Sequence, residues 1–365
     1  MSSTFSDPFS PGLLTRLPEA PRKVALLRAS RIGDFLCTVP AFRALRAALP
    51  EAAITIITLP MLRDLAVRSP YFDQFASFPG FPGIAEQLFE ARRTLDFLRR
   101  MQDEHFDLAL QLQGSGVHSN PFMLLLGARF TAGFVRRGDA AGRLDAALPA
   151  PEGEHEVRRM LALTTFLGAE PRGEQTEFPL WPEDHMAAQV LLTGLPRPLI
   201  GLHTSARDAT RRWPLERFAA VGAALGYQFG GAVVILGEEE EGAAAEYVAG
   251  QIREAGGICI NLAGKTTLPV LGAVIARLAI FITNDTGPAH IAYALGVPTV
   301  TIAGGGNPDA YRPLVNGPFR FLAQDVPCRP CGYATCPIGA PCLEGVTVRY
   351  VLDAAQEVMN GGASL

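Results

Sequence analysis

Residues Val24-Ala25-Leu26-Leu27-Arg28-Ala29-Ser30-Arg31-Ile32-Gly33-Asp34 pass from an apolar run into a small, polar junction. The run Val24–Arg28 has the length and continuous hydrophobicity of a strand buried on both faces. Beyond it Phe35, Val39, Phe42, Leu45 and Leu49 recur at spacings of 4, 3, 3 and 4, one face of a helix. Pro40 must then lie in the first turn or kink that helix. Strand, polar turn and helix in this order make the first half of a βαβ unit. Ile54–Leu59 supplies a second strand, and Asp107–Leu112 a third that ends in Gln113-Gly114-Ser115-Gly116. Between them lie a loop at Ser69–Gly83 and a predicted helix over Ala85–Met101. The alternation implies a parallel sheet covered by helices on both faces.

The pattern pauses over residues 169–198, where five prolines and two glycines surround a short helical stretch at Glu183–Leu192. It then restarts. Strands are expected at Leu199–His203, Ala232–Leu236, Ile258–Leu262, Ile280–Thr283 and Thr299–Ala303. Helices are expected at Leu215–Leu225, Gly242–Glu254, Leu268–Leu278 and Pro288–Leu295, with a last one carrying Val348 to Met359. Two successive doubly wound α/β domains, 1–180 and 181–365, are the economical reading, and 365 residues accommodate both.

Composition narrows the function. Hydrophobic residues make up 48% and charged residues 19%, which suits packed cores. Lys plus Arg number 32 against 36 Asp plus Glu, a net charge of −4, with no basic excess in either half, so a nucleic-acid partner is not expected. Lys23 and Lys265 are the only lysines, leaving arginine to grip phosphate or carboxylate. The N-terminus lacks the cationic start and apolar run of a signal peptide, and no apolar stretch reaches 18 residues; a cytoplasmic protein is expected.

Several familiar signatures fail. Gly264-Lys265-Thr266 ends like a phosphate-binding P-loop, but its first glycine would be at Cys259. There is no G-x-G-x-x-G opening a helix, no G-x-S-x-G and no D-x-D to hold a metal-bound diphosphate. Three strand-to-helix junctions remain, at the strand ends where open α/β sheets bind ligands. At Ser30–Asp34, Gly33 relaxes the backbone and Asp34 presents a carboxylate, as a helix cap or as a functional acid. Thr204–Pro214 combines hydroxyls with Arg207, Arg211 and Arg212, suited to phosphate or to a solvated loop. Asn284–His290 opens a helix whose N–H groups can receive an anion; His290 is taken as structural.

Two features lie outside these junctions. Glu238–Glu241 follows a strand end and fits either a solvated helix start or an acceptor for ribose hydroxyls. Cys328, Cys331, Cys336 and Cys342 fall within 15 residues, and free thiols or one tetrahedral metal, structural and remote from the chemistry, are both open readings.

Taken in order, these pieces resemble glycosyltransferase family 9, the heptosyltransferases. The carriers are Leu27–Asp34, Gln113–Gly116, His155-Glu156-Val157, Arg211-Arg212-Trp213-Pro214, Asn284–His290 and the cysteine-rich tail, and the resemblance runs from Val24 to about Val351. It implies a GT-B architecture of two Rossmann-like domains facing a cleft, the first binding acceptor and the second the nucleotide sugar, typically ADP-heptose. It also implies inverting, metal-independent transfer to a lipopolysaccharide-core or other cell-surface glycan, without a cofactor. By the same resemblance Asp34 is the general base, and Arg211 stands where the family has a phosphate-supporting lysine. Ser205, Asp285, Thr286 and Gly287 match phosphate-contacting positions, and Glu241, with Glu240 as near alternative, matches the ribose-binding acid. The chain departs at Gly304-Gly305-Gly306-Asn307-Pro308, where many relatives have Gly-Pro-Thr-Asp-Pro and thus one more hydroxyl. The paired arginines at 92–93, 99–100, 136–137 and 158–159 suit an anionic or membrane-held acceptor and peripheral contact with the inner membrane, or an ordinary solvated surface. A nucleotide-sugar epimerase of the same architecture and a non-catalytic nucleotide-sugar or metal-binding module are the rival readings.

Overall fold

The computed structural model describes residues 7–361, which divide into two compact units on either side of the junction between Thr176 and Glu177. The first holds strands β1 (Lys23–Arg28), β2 (Ala53–Thr58), β3 (Gln74–Ser77), β4 (Leu108–Gln111), β5 (Phe130–Val135) and β6 (Ala146–Pro149). The second holds β7 (Leu199–His203), β8 (Ala232–Leu236), β9 (Ile258–Asn261), β10 (Ile280–Asn284), β11 (Thr299–Ala303) and β12 (Phe319–Ala323).

Each unit folds around one six-stranded parallel sheet. The orders are β3-β2-β1-β4-β5-β6 and β12-β11-β10-β7-β8-β9, so each is the doubly wound arrangement that starts in the middle and grows outward twice. The direction of winding reverses between β1 and β4 in one sheet and between β7 and β10 in the other. Loops leaving those neighbouring strands diverge to opposite faces and leave a crevice at the strand ends. β1 aligns Leu27 with Gln111, and β7 aligns His203 with Thr283, so both crevices are flanked by the polar junctions.

Central strands are buried along nearly their whole length, as their predominantly apolar runs require; β7, β8, β10 and β11 are buried throughout. Strand β3, half-exposed at an edge, lies within the stretch expected to be loop. The helix expected over Ala85–Met101 begins only at Ala91 and runs to Asp103; residues 82–87 form turns instead, and Arg93 pins the segments on either side through the carbonyls of Pro79 (2.8 Å) and Leu88 (2.5 Å). Pro40 lies inside the helix Ile32–Ala48, well beyond its first turn. Gly168 and Gly230, at φ +104° and +64°, end their helices in the left-handed conformation that side chains disfavour. In the second unit Trp213 anchors the core: it is 1% exposed, stands edge-on to Phe218 and donates its indole N–H to Val346 O at 2.8 Å. No described helix is long and apolar enough to cross a membrane.

Candidate functional site

In the first unit the junction after β1 is built around a buried arginine. Asp34 is the third residue of the helix Ile32–Ala48, and Arg31, not Asp34, occupies the N-cap position. The reading of Asp34 as a helix cap therefore does not describe its place. Its carboxylate, about one-third exposed, lies 3.5 Å from Arg28 Nη2. The Arg28 guanidinium also donates to Leu112 O (2.6 Å), to the Asp34 carbonyl (3.0 Å) and to Glu156 Oε1 (2.7 Å). Glu156 opens the helix Glu156–Leu167, whose N-cap is His155; the imidazole Nδ1 accepts the Val157 N–H at 3.2 Å. Arg159 grips Glu156 as well, at 3.1 and 3.3 Å, and lies over the Phe134 ring. Burial pushes the Glu156 carboxyl up, but the charges of Arg28 and Arg159 outweigh it and hold the group below its ordinary value, ionised.

The second unit brings together the other two junctions. Asn284, at the end of β10, ties them: its side-chain oxygen accepts the Trp213 N–H (3.0 Å) and its amide donates to the carbonyls of Thr204 (3.0 Å) and Ser205 (3.2 Å). His203, at the end of β7, lies 3.6 Å from Glu241 Oε2, and its Nδ1 is 3.3 Å from the Thr286 hydroxyl. Burial raises the Glu241 carboxyl, but hydrogen bonds and charge from His203, a bond from Ser205 and the Glu238 N–H together bring it down to about 2. Glu239 and Glu240 stay exposed, so of the four glutamates Glu241 is the one drawn into this cluster.

Asp285 is 5% exposed and, unlike Glu241, is pushed up to about 6: burial dominates over the opposing charges of Arg211 and Arg329. A Cβ built on Gly306 would fall 3.0 Å from Asp285 Oδ2 and 3.6 Å from Arg211 Cζ, so this glycine leaves room where acid and guanidinium approach. Thr286 is the N-cap of the helix Gly287–Ala294, and its first N–H groups open beside Thr286 and Asp285. His290 is buried and stands edge-on to Tyr293 and Tyr311, a packing position. Arg212 turns back onto its own loop, donating to Ala206 O and Arg207 O, which leaves Arg211 as the guanidinium beside Asp285.

The cysteine-rich segment is not remote from this cluster. Thr210, next to Arg211, donates its hydroxyl to Tyr333 O (2.7 Å) and its N–H to Ala334 O (3.3 Å). Cys331 donates its N–H to Gly305 O, and Gly305 donates to Thr210 O, both at 2.9 Å. Arg329 fixes the same loop through Gly304 O (2.9 Å), Ala303 O (3.1 Å) and Gln324 O (2.6 Å). Among the described residues no three His, Cys, Asp or Glu side chains are grouped as a metal would need. The sequence patterns include Arg28, Glu156 and Asn284 within quoted motifs but give them no role of their own, and they do not point to His203 or Arg329 as parts of these clusters. The signal available for Arg28 and His203 was a single charged or polar residue closing an otherwise apolar strand.

Comparison with known proteins places this geometry. The chain is 29% identical over 310 residues to lipopolysaccharide heptosyltransferase 2 of Salmonella typhimurium, covering 80% of this chain and 85% of that one. Its fold matches the structure of Escherichia coli ADP-heptose lps heptosyltransferase II at a TM-score of 0.76 and 21% identity, over 94% of this chain and all of the other. It also matches Escherichia coli heptosyltransferase WaaC with ADP-2-deoxy-2-fluoro heptose at 0.66 and 18%, over 92% and 99%. The fold is thus that of GT-B heptosyltransferases. The sequence profile of glycosyltransferase family 9 (heptosyltransferase) matches residues 94–340, more than half of the chain, and the protein is a glycosyltransferase belonging to that family.

Proposed function

We propose that the enzyme transfers heptose from ADP-heptose to a lipopolysaccharide-core glycan, with inversion and without a metal ion. The observation that carries this reading is the polar cluster at the β7/β10 crevice, where Asn284 ties the Thr204–Ser205 backbone to Trp213, just after Arg211, Glu241 meets His203, and the helix Gly287–Ala294 begins. Such a set suits a nucleoside diphosphate: a guanidinium and free N–H groups for phosphate oxygens, a carboxylate for ribose hydroxyls. Glu241, held ionised well below the usual range, is an acceptor for those hydroxyls. Heptose and ADP come from the relatives, one of which was solved with an ADP-heptose analogue.

In this reading the first unit supplies the base and the second holds the donor. Asp34 takes the proton of the acceptor hydroxyl as that oxygen bonds to the anomeric carbon from the face opposite the diphosphate. The bond from that carbon to the phosphate oxygen breaks, and its electron pair leaves with ADP. Arg211, Ser205 and the helix N-terminus receive the growing negative charge, the task a metal performs in enzymes that carry a D-x-D pair. Asp285 is a poor neighbour for phosphate while ionised and serves the loop or the sugar hydroxyls instead. A lipid-linked acceptor would be met at the cytoplasmic face of the inner membrane by peripheral contact, and the exposed Arg92, Arg100 and Arg137 suit its phosphates.

The test is product formation from ADP-heptose and a heptose-accepting core oligosaccharide in excess EDTA, with the anomeric configuration read by NMR. Transfer with inverted configuration supports the reading. Epimerised nucleotide sugar without acceptor, or activity only with added magnesium, refutes it.

A further inference from the structure

We propose that Glu156 is a positioning residue for this reaction: through the buried Arg28 guanidinium it orients Asp34 and preserves its strength as a base. The proposal rests on the reading of Asp34 as the base. Arg28 Nη2 lies between two carboxylates, 2.7 Å from Glu156 Oε1 and 3.5 Å from Asp34 Oδ1, and it also holds the Asp34 carbonyl at 3.0 Å. Arg28 is 2% exposed and anchored by Leu112 O, so water neither screens its charge nor lets it swing away.

A cation fixed beside a carboxylate stabilises the anion and makes it a weaker base. Left alone, Arg28 would therefore work against proton abstraction at Asp34. Glu156 offsets that cation from its other side. It is 7% exposed, it opens its helix where the N–H dipole favours an anion, and the two arginines keep it ionised against the cost of burial. Arg159 draws on the same carboxylate from the next turn of that helix and donates to Gly114 O. The charges linked to Asp34 here include Arg28 from β1 and, behind it, Glu156 and Arg159 from the helix Glu156–Leu167. Arg31, three residues before Asp34, is paired with Glu86 at 3.1 Å. A buried ion pair adds little stability over an apolar pair of the same size, so this one is more economically explained by what it does to the neighbouring acid.

The role predicts two opposite displacements. Glu156→Gln removes the anion that offsets Arg28 from its other side, so Asp34 feels more of that cation and becomes less basic. Arg159→Gln frees the Glu156 charge for Arg28, so Asp34 becomes more basic. The experiment is the pH dependence of kcat for the full-length native enzyme and both variants, with ADP-heptose and a core oligosaccharide acceptor. In Glu156→Gln the acid limb should move down by roughly one pH unit, and the plateau should fall about three- to tenfold, with the KM for ADP-heptose unchanged. In Arg159→Gln the limb should move up. Should Glu156→Gln fail to fold, the upward move in Arg159→Gln decides. Limbs that stay in place in the folded variants, or that move in the same direction, overturn the proposal. Asp34→Asn distinguishes the two levels: a loss of about 100-fold or more keeps Asp34 as base while the limbs judge Glu156. An active Asp34→Asn overturns the base reading and the proposal with it.

Discussion

Replacing Asp285 by Asn should stabilise the second unit, although the residue lies in the candidate donor site. The carboxyl is 5% exposed and its value is pushed from 3.8 to about 6, burial outweighing the nearby charges of Arg211 and Arg329. A raised value means that the folded chain binds this proton more tightly than the unfolded one. The ionised carboxylate therefore costs nothing below about pH 4, costs progressively more between pH 4 and 6, and carries its full penalty above that. The displacement corresponds to about 3 kcal/mol at neutral pH, an upper figure because the unfolded chain is not fully solvated. Asn keeps the shape without the charge. Urea unfolding followed by tryptophan fluorescence reads this unit selectively, since Trp181 and Trp213, the two tryptophans of the chain, both belong to it. Asp285→Asn should gain about 1–3 kcal/mol at pH 7.5, with the gain shrinking towards zero near pH 4. A variant less stable than the native protein by the same amount at both pH values would refute the reasoning. It would show that Asp285 is held as a net-favourable ion pair with its arginines.

Arg211→Ala should weaken ADP-heptose binding and lower turnover more, by roughly 1.5–3 kcal/mol of transition-state stabilisation, while Arg211→Lys recovers much of it; steady-state kinetics decide, and wild-type behaviour of the alanine variant would contradict the phosphate role. Gly305→Ala should disturb the donor loop from a distance, because the new methyl would meet Cys331 Sγ at 2.5 Å; a raised KM for ADP-heptose with an unchanged acceptor KM is expected, and unchanged kinetics would show the loop to be dispensable. Thr210→Val removes the hydroxyl bond to Tyr333 O and should cost about 1 kcal/mol of second-unit stability by the same fluorescence assay; an unchanged urea midpoint would mean that the cysteine-rich segment is not held there.

The strands that decided the fold were legible because each is buried on both faces and therefore predominantly apolar, with threonine the main exception inside them: β1, β2, β7, β8, β10 and β11. Edge strands β3 and β12 alternate partly exposed residues, and with β5 and β6 they escaped a reading based on apolar runs. The three junctions carrying Asp34, Arg211 and Asp285 were visible because small and polar residues follow a strand and precede a helix. Their partners were not. Arg28 and Glu156 are 128 positions apart, Thr210 and Tyr333 are 123 apart, and His203 meets Glu241 from a neighbouring strand end. Such pairings are fixed by which strands lie side by side, information that local periodicity does not hold. The same limit explains why the cysteines looked remote from the chemistry: their spacing alone left free thiols and a metal site both open, whereas their backbone is laced to the Thr210 turn and the Gly304–Gly306 loop.

The most direct measurement is turnover of Asp34→Ala, folded and saturated with ADP-heptose and acceptor in the presence of EDTA. The account predicts a kcat lower by about 10²–10⁴ with donor affinity little changed, the usual contribution of a positioned general base. Turnover within about threefold of the native enzyme would contradict it, since no carboxylate would then be needed to take the acceptor's proton.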